Sequence, residues 1–332
     1  MGAAATDPDP GTVLVGWLQE RWGRDVRLAA PTETNDDGFD SAIHFLSLTG
    51  DDVPADWRRP LVLRIKPGAD QLTEAQREAD IQTWAADAGL SVPRVLLVLE
   101  PGEPFDRPGQ VMERALGGTM LDALSSAPWR ARTLLRRLGG LHAELHSTQI
   151  TGFPDGDDLL DRRLALVRST AEQLEHTDLR RALDDVERLA PRLRGGSSAV
   201  CHGDFHPLNV LVGDDELHLI DWTDAGVGDP NGDVARTLLL FSVAWITADN
   251  AVERTALKAL GPVLSRIYRS AYASKRPIDD ERVALWTPVH LLHGWSQTVG
   301  VREGLFGDEG AIPSTLTDLL KSRLDRALDE VR

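Results

Sequence analysis

Residues 201–222 read CHGDFHPLNVLVGDDELHLIDW, a polar loop followed by a short β-hairpin. Two apolar segments flank the two-residue turn at 214–215, which is a typical hairpin pattern. The register of such a turn places Asn209 and Asp221 together at the open end of the hairpin. Asp204 lies in the irregular loop that leads into the same end. The stretch therefore predicts that one amide and two carboxylate side chains converge.

Convergent oxygen ligands of this kind suit phosphoryl transfer to a hydroxyl group. Amide and carboxylate oxygens hold Mg²⁺ against nucleotide phosphates, and a carboxylate accepts the hydroxyl proton. Two other interpretations exist. The carboxylates could form a purely structural hydrogen-bond network. Alternatively, His202, Asp204 and His206 could be a metallohydrolase triad, although Gly203 and Pro207 favour a loop over the strand that a triad on one face requires.

The motif His202-Gly203-Asp204 with Asn209, followed by Ile220-Asp221-Trp222, resembles the catalytic and metal-binding loops of the aminoglycoside phosphotransferase family. Members of this family are relatives of choline kinases and protein kinases. The resemblance implies that Asp204 is the catalytic base, that Asn209 and Asp221 bind Mg²⁺, and that ATP or GTP is the phosphoryl donor. An enzyme that phosphorylates a hydroxyl of a small molecule is therefore expected.

The similarity extends beyond the hairpin, over Gly228-Asp229-Pro230 and on to Asp233. By resemblance, Asp233 braces the catalytic loop without touching substrate. The chain departs from the family at Leu208, where glycine is common. Leucine fits this position if its φ is negative.

Two cations on one predicted strand, Arg64 and Lys66, are two residues apart and therefore point to the same side. By resemblance, Arg64 falls where the family has its phosphate-binding lysine, and Lys66 is the alternative. Glu78, on the following helix, matches the ion-pair partner of that cation. An arginine is a departure from the family, but its guanidinium also binds phosphate oxygens.

The resemblance also assigns the rest of the nucleotide site. Glu113 and Ala115 match the hinge whose backbone would bind the purine edge. The turn from Asn35 to Ser41 stands where a phosphate-covering loop belongs, although it is acidic and has one glycine.

The patterning of the whole chain predicts an α+β, two-lobed, protein-kinase-like fold. Residues 1–10 form a disordered tail, residues 11–115 a nucleotide-binding lobe with a small antiparallel sheet and one helix, and residues 116–332 a mainly helical lobe that carries catalysis and acceptor binding. Five strands are expected in the first lobe, within 26–28, 41–48, 61–65, 95–99 and 110–114. The large lobe opens with an amphipathic helix over 129–148, on which His142 and His146 are interpreted as packing residues.

The composition of the chain limits the binding partners and the cellular location that are expected. The net charge of −16 disfavours nucleic acid, and it either keeps the protein soluble or attracts a cationic substrate. The N-terminus lacks a signal-peptide pattern, no apolar run is long enough to span a bilayer, and one cysteine fits a reducing cytoplasm. A cytoplasmic monomer or homodimer is expected.

The acceptor is the least constrained prediction. An acidic stretch with Asp157 and Asp161, and a helix with Trp286 and His290, are candidates for its lining. Carboxylates would suit an amino sugar, and the flat faces of tryptophan rings would suit a sugar ring or a macrolide. Antibiotic resistance is therefore one role to consider. The alternative is that Trp286 belongs to the core. A pseudoenzyme that binds nucleotide without chemistry is the other functional class, but Asp204, Asn209 and Asp221 are all retained.

Overall fold

A computed structural model describes residues 8–35, 41–154, 158–214, 216–247, 250–305 and 314–331. The chain forms two compact units. The first comprises the residues up to Gly117 together with Leu211–Thr223, and the second comprises Gly118–Val210 and the residues from Asp224 onward.

The described helices are α1 (Pro10–Trp22), α2 (Leu72–Asp87), α3 (Met120–Ser126), α4 (Ala131–Leu145), α5 (Leu159–Gln173), α6 (Thr177–Glu187), α7 (Ala190–Leu193), α8 (Pro230–Val243), α9 (Ala251–Ala273), α10 (Asp280–Arg302) and α11 (Ser314–Val331). The described strands are β1 (Arg27–Leu28), β2 (Glu33–Asn35), β3 (Ala42–Leu46), β4 (Leu48–Thr49), β5 (Leu61–Ile65), β6 (Val95–Leu99), β7 (Gly109–Glu113), β8 (Gly118–Thr119), β9 (Ala199–Cys201), β10 (Val210–Val212), β11 (Leu217–Leu219) and β12 (Gly226–Gly228).

The first unit is built on an antiparallel sheet with strand order β2-β3-β5-β7-β6. Alternate residues of β5, namely Leu61, Leu63 and Ile65, are buried and pack in the same apolar cluster as α1. The opposite face of β5 therefore carries Arg64, the candidate phosphate ligand. The predicted strands are present, except that the segment 41–48 divides into β3 and β4. The sequence analysis missed β2, a short polar edge strand.

Strands β10 and β11 pair in the predicted register, because the backbone N–H of Gly213 donates to the carbonyl of Glu216 (3.0 Å). Most of this hairpin belongs to the first unit, whereas the sequence analysis assigned it to the large lobe. It is tied there by a hydrogen bond from Leu219 N to the carbonyl of Ser91 (2.9 Å).

The second unit is mainly helical, and its largest apolar cluster is formed by α5, α6, α7, α8, α10 and α11. Its strand β9 pairs antiparallel with β12, a strand that the sequence analysis did not predict. Helices α6 and α7 are separate, and Pro191 lies at the start of the second one. Helix α3 was also missed.

A small antiparallel sheet with one inserted helix, followed by a mainly helical part, confirms the predicted kinase-like fold class. None of the helices that the structure describes is long and apolar enough to cross a membrane.

Candidate active site

The loop after β9 is held by a buried aspartate at the start of α8. Asp233 accepts hydrogen bonds from the backbone N–H of His202 at Oδ2 (2.6 Å) and of Gly203 at Oδ1 (3.0 Å). Its side chain has no solvent exposure. Two donors from consecutive peptides fix the direction in which the chain enters the loop. The structure thus shows that Asp233 braces the loop that carries Asp204, as the resemblance implied.

Behind Asp233 lies a group of four buried aromatic side chains. Nε2 of His142 and Nε2 of His146 lie 3.1 and 3.2 Å from Asp233 Oδ2. Nδ1 of each histidine lies 2.6 Å from a tyrosine hydroxyl, that of Tyr268 for His142 and that of Tyr272 for His146. The sequence analysis interpreted both histidines as packing residues, but their role is larger. They support the carboxylate that supports the loop.

The protonation states of this group follow from its burial. Burial lowers the pKa of His142 to about 3 and also lowers the pKa of His146, so both rings are neutral. Burial alone would raise the pKa of Asp233, but hydrogen bonds from the two histidines outweigh it and the pKa lies well below its usual value. Each neutral ring can then donate through Nε2–H to the carboxylate and accept the tyrosine proton at Nδ1.

His142, His146 and Asp233 also have the composition of a metal site, since their potential ligand atoms lie within 4.8 Å of one another. The hydrogen bonds account for the arrangement without an ion. Both nitrogens of His142 and of His146 have a protein partner, and Asp233 Oδ2 already receives the N–H of His202.

Gly203 is required by a close approach of two segments. Its φ is +79°, and a Cβ at this position would lie 2.3 Å from the carbonyl oxygen of Asp224. The buried side chain of Arg163 joins the same two segments, because NH2 donates to the carbonyl of Gly203 (2.7 Å) and to Oδ2 of Asp224 (2.9 Å). Glycine is thus the residue that fits, since it tolerates positive φ and has no side chain to clash.

Asp204 is held at both carboxylate oxygens. Nε and NH2 of Arg236 lie 3.0 and 2.9 Å from Oδ1, while Nε2 of His206 lies 3.0 Å from Oδ2. Burial raises the pKa of Asp204, but the Arg236 charge and the His206 hydrogen bond outweigh it and hold the pKa well below its usual range. The candidate base is therefore an oriented, ionised carboxylate.

Asn209 is oriented so that its amide oxygen is available to a cation. Its Nδ2 donates to the backbone carbonyl of Asp204 (2.9 Å) and more weakly to that carboxylate (3.4 Å). The side-chain oxygen therefore points the other way, which suits a Mg²⁺ ligand. The neighbouring Leu208 does not have the positive φ that would strain it, so the departure from the family's glycine costs no backbone strain.

Asp221 belongs to the first unit, where it follows β11 with a φ of +64°. Its Oδ1 accepts the hydroxyl proton of Thr223 (2.9 Å), and the carbonyl of Thr223 accepts from Arg77 on α2 (2.9 Å). The structure records no protein partner for Oδ2 of Asp221 among the residues that it describes. This oxygen therefore fits the predicted role as a ligand of a hard cation. The approach of Asp221 to Asp204 and Asn209 stays a prediction.

Both candidate phosphate ligands of the first unit contact the same carboxylate. Arg64 forms an ion pair with Oε1 of Glu78, and Nζ of Lys66 lies 3.1 Å from Oε2. Nε of Arg64 also donates to the hydroxyl of Ser41 (3.0 Å). Burial raises the pKa of Glu78, but the two cations outweigh it and the pKa is lowered. The structure thus brings together four residues that the sequence analysis placed in the phosphate site; the acidic segment 36–40 lies outside the described residues.

Glu113 and Ala115 lie at the end of β7, where the hinge was predicted. The backbone N–H of Glu113 donates to the carbonyl of Arg94 (2.9 Å), and that of Arg114 donates to the carbonyl of Pro60 (2.8 Å). These bonds leave β7 on opposite sides, as expected for extended chain. Purine binding by the backbone of Glu113 and Ala115 stays a prediction.

Two of the candidate acceptor residues are buried. Trp286 is 2% exposed and donates from Nε1 to Oδ2 of Asp229 (2.9 Å), and His290 is completely buried, with Nε2 2.8 Å from the carbonyl oxygen of Gly232. Both side chains are part of the helical core, which corrects their assignment to an acceptor surface. Asp161 is exposed and forms an ion pair with Arg194. Asp157 lies outside the described residues.

The sequence analysis overlooked two arginines of the site, Arg163 and Arg236. Both lie on helices where a charged residue is most simply interpreted as solvent-facing. The motif from Asp229 to Arg236 places the arginine one turn after Asp233, which was the available signal. Cys201, in contrast, is buried next to the loop, and burial raises the pKa of its thiol. Cys201 is therefore a packed residue of strand β9.

An anchored loop with an ionised aspartate and an oriented asparagine, in a kinase-like fold, defines a small-molecule phosphotransferase. The family model described as the phosphotransferase enzyme family (APH) matches residues 53–287, and the chain belongs to this family. A search of curated protein sequences found no significant match.

Several solved structures share the fold. A protein of Ralstonia eutropha JMP134, described as a candidate aminoglycoside phosphotransferase, is 17% identical with a TM-score of 0.62, and the match covers 96% of each chain. Aminoglycoside-3'-phosphotransferase of type VIII is 20% identical with a TM-score of 0.58, and the match covers 86% of this chain and 99% of that one. An amicoumacin kinase, solved with AMP-PNP, Ca²⁺ and its substrate, is 14% identical with a TM-score of 0.60, with 90% and 88% covered.

Proposed function

We propose that this protein transfers the γ-phosphoryl group of ATP or GTP to a hydroxyl of a small molecule in a Mg²⁺-dependent reaction. The observation that carries the proposal is the geometry of the loop 202–209. This loop presents Asp204 as an ionised carboxylate and Asn209 with an available amide oxygen, and both side chains are held by hydrogen bonds from or to neighbouring protein groups. Reactions of this class depend on positioning and electrostatics more than on covalent chemistry.

Each residue has a distinct role in the proposed reaction. Asp204 accepts the proton of the acceptor hydroxyl. Asn209 and Asp221 hold the cation, which in this family of reactions neutralises charge on the phosphates. Arg64 binds phosphate oxygens, while Lys66 and Glu78 keep its guanidinium in place. The backbone of Glu113 and Ala115 positions the purine.

The acceptor is proposed by class. Aminoglycoside kinases and an amicoumacin kinase share the fold of this chain. We therefore place an aminoglycoside, a macrolide or another sugar-like metabolite first among the candidates. The reaction is expected in the cytoplasm, where its nucleotide is supplied, by a monomer or homodimer. Resistance to an antibiotic would follow only if one of these compounds were the acceptor.

The experiment is a nucleotide-turnover assay with ATP and with GTP, in Mg²⁺ and in EDTA, across a panel of amino sugars, macrolides and small metabolites. Slow hydrolysis with water as acceptor serves as the baseline. Asp204→Asn should lower kcat by about 10²–10⁴-fold, the usual loss for a general base. Its nucleotide affinity should stay within about tenfold of the wild type, or ~1.4 kcal/mol.

Two outcomes would contradict the proposal. Turnover that is equal in Mg²⁺ and in EDTA would remove the role of the cation. Nucleotide binding by calorimetry with no turnover of any acceptor, water included, would favour a pseudoenzyme. A thermal-shift screen of the same panel, with and without nucleotide, identifies an acceptor independently of turnover.

A further inference from the structure

The two oxygens of the Asp204 carboxylate have different surroundings. Oδ1 faces two N–H groups of Arg236, Nε at 3.0 Å and NH2 at 2.9 Å. Oδ2 faces Nε2 of His206 at 3.0 Å and, more distantly, Nδ2 of Asn209 at 3.4 Å. Each carboxylate oxygen has about two lone-pair sites. Oδ1 is therefore saturated by Arg236, whereas Oδ2 has one close donor and room for another.

The neighbouring bonds determine which atom of His206 faces Oδ2. The backbone N–H of Leu208 donates to Nδ1 of His206 (3.2 Å), so Nδ1 carries a lone pair and Nε2 carries the hydrogen. His206 thus donates to Oδ2, and the only other donor near that oxygen among the described residues is the distant Nδ2 of Asn209 at 3.4 Å, so Oδ2 is the less saturated oxygen. The Asp204 side chain is 25% exposed, so a solute can reach it.

Arg236 itself is fixed by the fold. It lies on α8 three residues after Asp233, the residue that anchors the loop carrying Asp204. The side chain of Arg236 is 14% exposed. One helix therefore anchors the loop backbone through Asp233 and the carboxylate through Arg236. A planar guanidinium that donates two N–H groups to one oxygen restricts the rotation of the carboxylate, which a single-point donor would not do.

We propose that Arg236 is a positioning residue for phosphoryl transfer, and that by holding Oδ1 it makes Oδ2 the oxygen that accepts the proton. This inference rests on the proposed function. In the step, the O–H bond of the acceptor breaks and its proton moves to Oδ2 of Asp204. The acceptor oxygen forms a bond to the γ-phosphorus. The bond from that phosphorus to the bridging oxygen breaks, and its electron pair leaves with the nucleoside diphosphate.

The test compares Arg236→Gln and Arg236→Lys with a control, Arg168→Gln, which removes an exposed arginine that pairs with Glu187. Nucleotide turnover, nucleotide affinity by calorimetry and Tm are measured for each. Arg236→Gln should lower kcat by about 10²-fold, the size of a small misplacement of a reacting group. Its nucleotide Kd should change less than about threefold, because Arg236 is proposed to act on transfer and not on nucleotide binding. Arg236→Lys should recover part of the loss because the ammonium supplies charge but not the planar pair of donors.

The outcomes separate the possibilities. If Arg236→Gln does not fold, Arg236→Lys decides alone, since a kcat reduced about tenfold with unchanged Kd and Tm supports positioning. A kcat within twofold of the wild type in either folded variant would overturn the role of Arg236. A kcat loss matched by equal losses in Kd and Tm would assign Arg236 a structural role instead. A wild-type protein without nucleotide turnover would overturn the proposed function itself, and the role of Arg236 with it.

Discussion

Nε2 of His142 lies 3.1 Å from Oδ2 of Asp233, and neither side chain is exposed to solvent. This contact connects helix α4 to the anchor of the catalytic loop. Because Asp233 also holds the N–H groups of His202 and Gly203, the protonation state of the buried histidine bears on the loop as well as on the core.

Stability should therefore fall as the pH is lowered from about 6.5. The folded-state pKa of His142 is about 3, below its value in an unfolded chain, so the unfolded chain binds more protons between these pH values. The free energy of unfolding from this group is lost as the pH falls, at up to ~1.4 kcal/mol per pH unit. Urea unfolding at pH 7, 6, 5 and 4 measures it. His142→Gln should be less stable at pH 7 but less dependent on pH, and a slope equal to that of the wild type would contradict the assignment.

Asp221→Ala should abolish transfer and weaken the binding of Mg²⁺-nucleotide while the fold is retained. The reason is the loss of a carboxylate whose Oδ1 is held by Thr223 and whose Oδ2 is proposed to bind the cation. Asp214→Ala, in the exposed turn of the same hairpin, is the control and should behave as the wild type. Calorimetry with and without Mg²⁺ and single-turnover transfer are the measurements. Normal turnover by Asp221→Ala would show that the metal assignment is wrong.

Arg64→Ala and Lys66→Ala should differ although each removes one cation from Glu78. The side chain of Arg64 is 14% exposed and that of Lys66 is 2% exposed, so Arg64 is the more accessible to phosphate. We expect kcat/KM to fall at least about tenfold more in Arg64→Ala, or ~1.4 kcal/mol. Lys66→Ala serves as the matched control for the loss of charge beside Glu78. A larger loss in Lys66→Ala would reverse the assignment, and small, equal losses would remove both residues from the site.

Gly203→Ala and Gly152→Ala separate backbone strain from close approach. Both glycines have positive φ, +79° and +73°, but a Cβ at Gly203 would meet Asp224 whereas Gly152 has open space around it. Gly152→Ala should cost about 1 kcal/mol in strain alone. Gly203→Ala should cost more and should also reduce kcat by displacing the loop. Urea unfolding and nucleotide turnover compare them, and equal effects in both assays would show that the contact with Asp224 is unimportant.

The sequence predicted most of what depends on local pattern. The apolar alternation of β5 and the two-residue turn after Gly213 were sufficient to place Arg64 and to give the register of the hairpin. The motif around Asp204 predicted a loop, and the structure shows that its side chain and that of Asn209 are in contact. The short polar strand β2 was missed because its pairing with β3 compensates for a composition that does not favour strands.

What the sequence could not reveal depends on long-range packing. Arg236 lies 32 positions after Asp204, and only the docking of α8 under the loop brings them together. In the same way, His142 lies on the buried face of α4 and His146 directly follows the helix, a pattern that packing alone explains equally well. Their hydrogen bonds to Asp233 required the position of α8. Trp286 also needed the structure. A large aromatic side chain on a helix could lie in the core or line an acceptor site, and Trp286 lies in the core.

The composition of the first unit has a consequence for the order in which the chain can fold during synthesis. That unit includes residues 211–223, which are synthesised only after the whole segment 118–210. Until then Ser91 lacks the peptide N–H of Leu219 that its carbonyl accepts, and Arg77 lacks the carbonyl of Thr223. The first unit therefore stays incomplete while much of the helical unit is synthesised. A ribosome stalled before residue 211 would carry a first unit more sensitive to protease than the same unit in the finished protein.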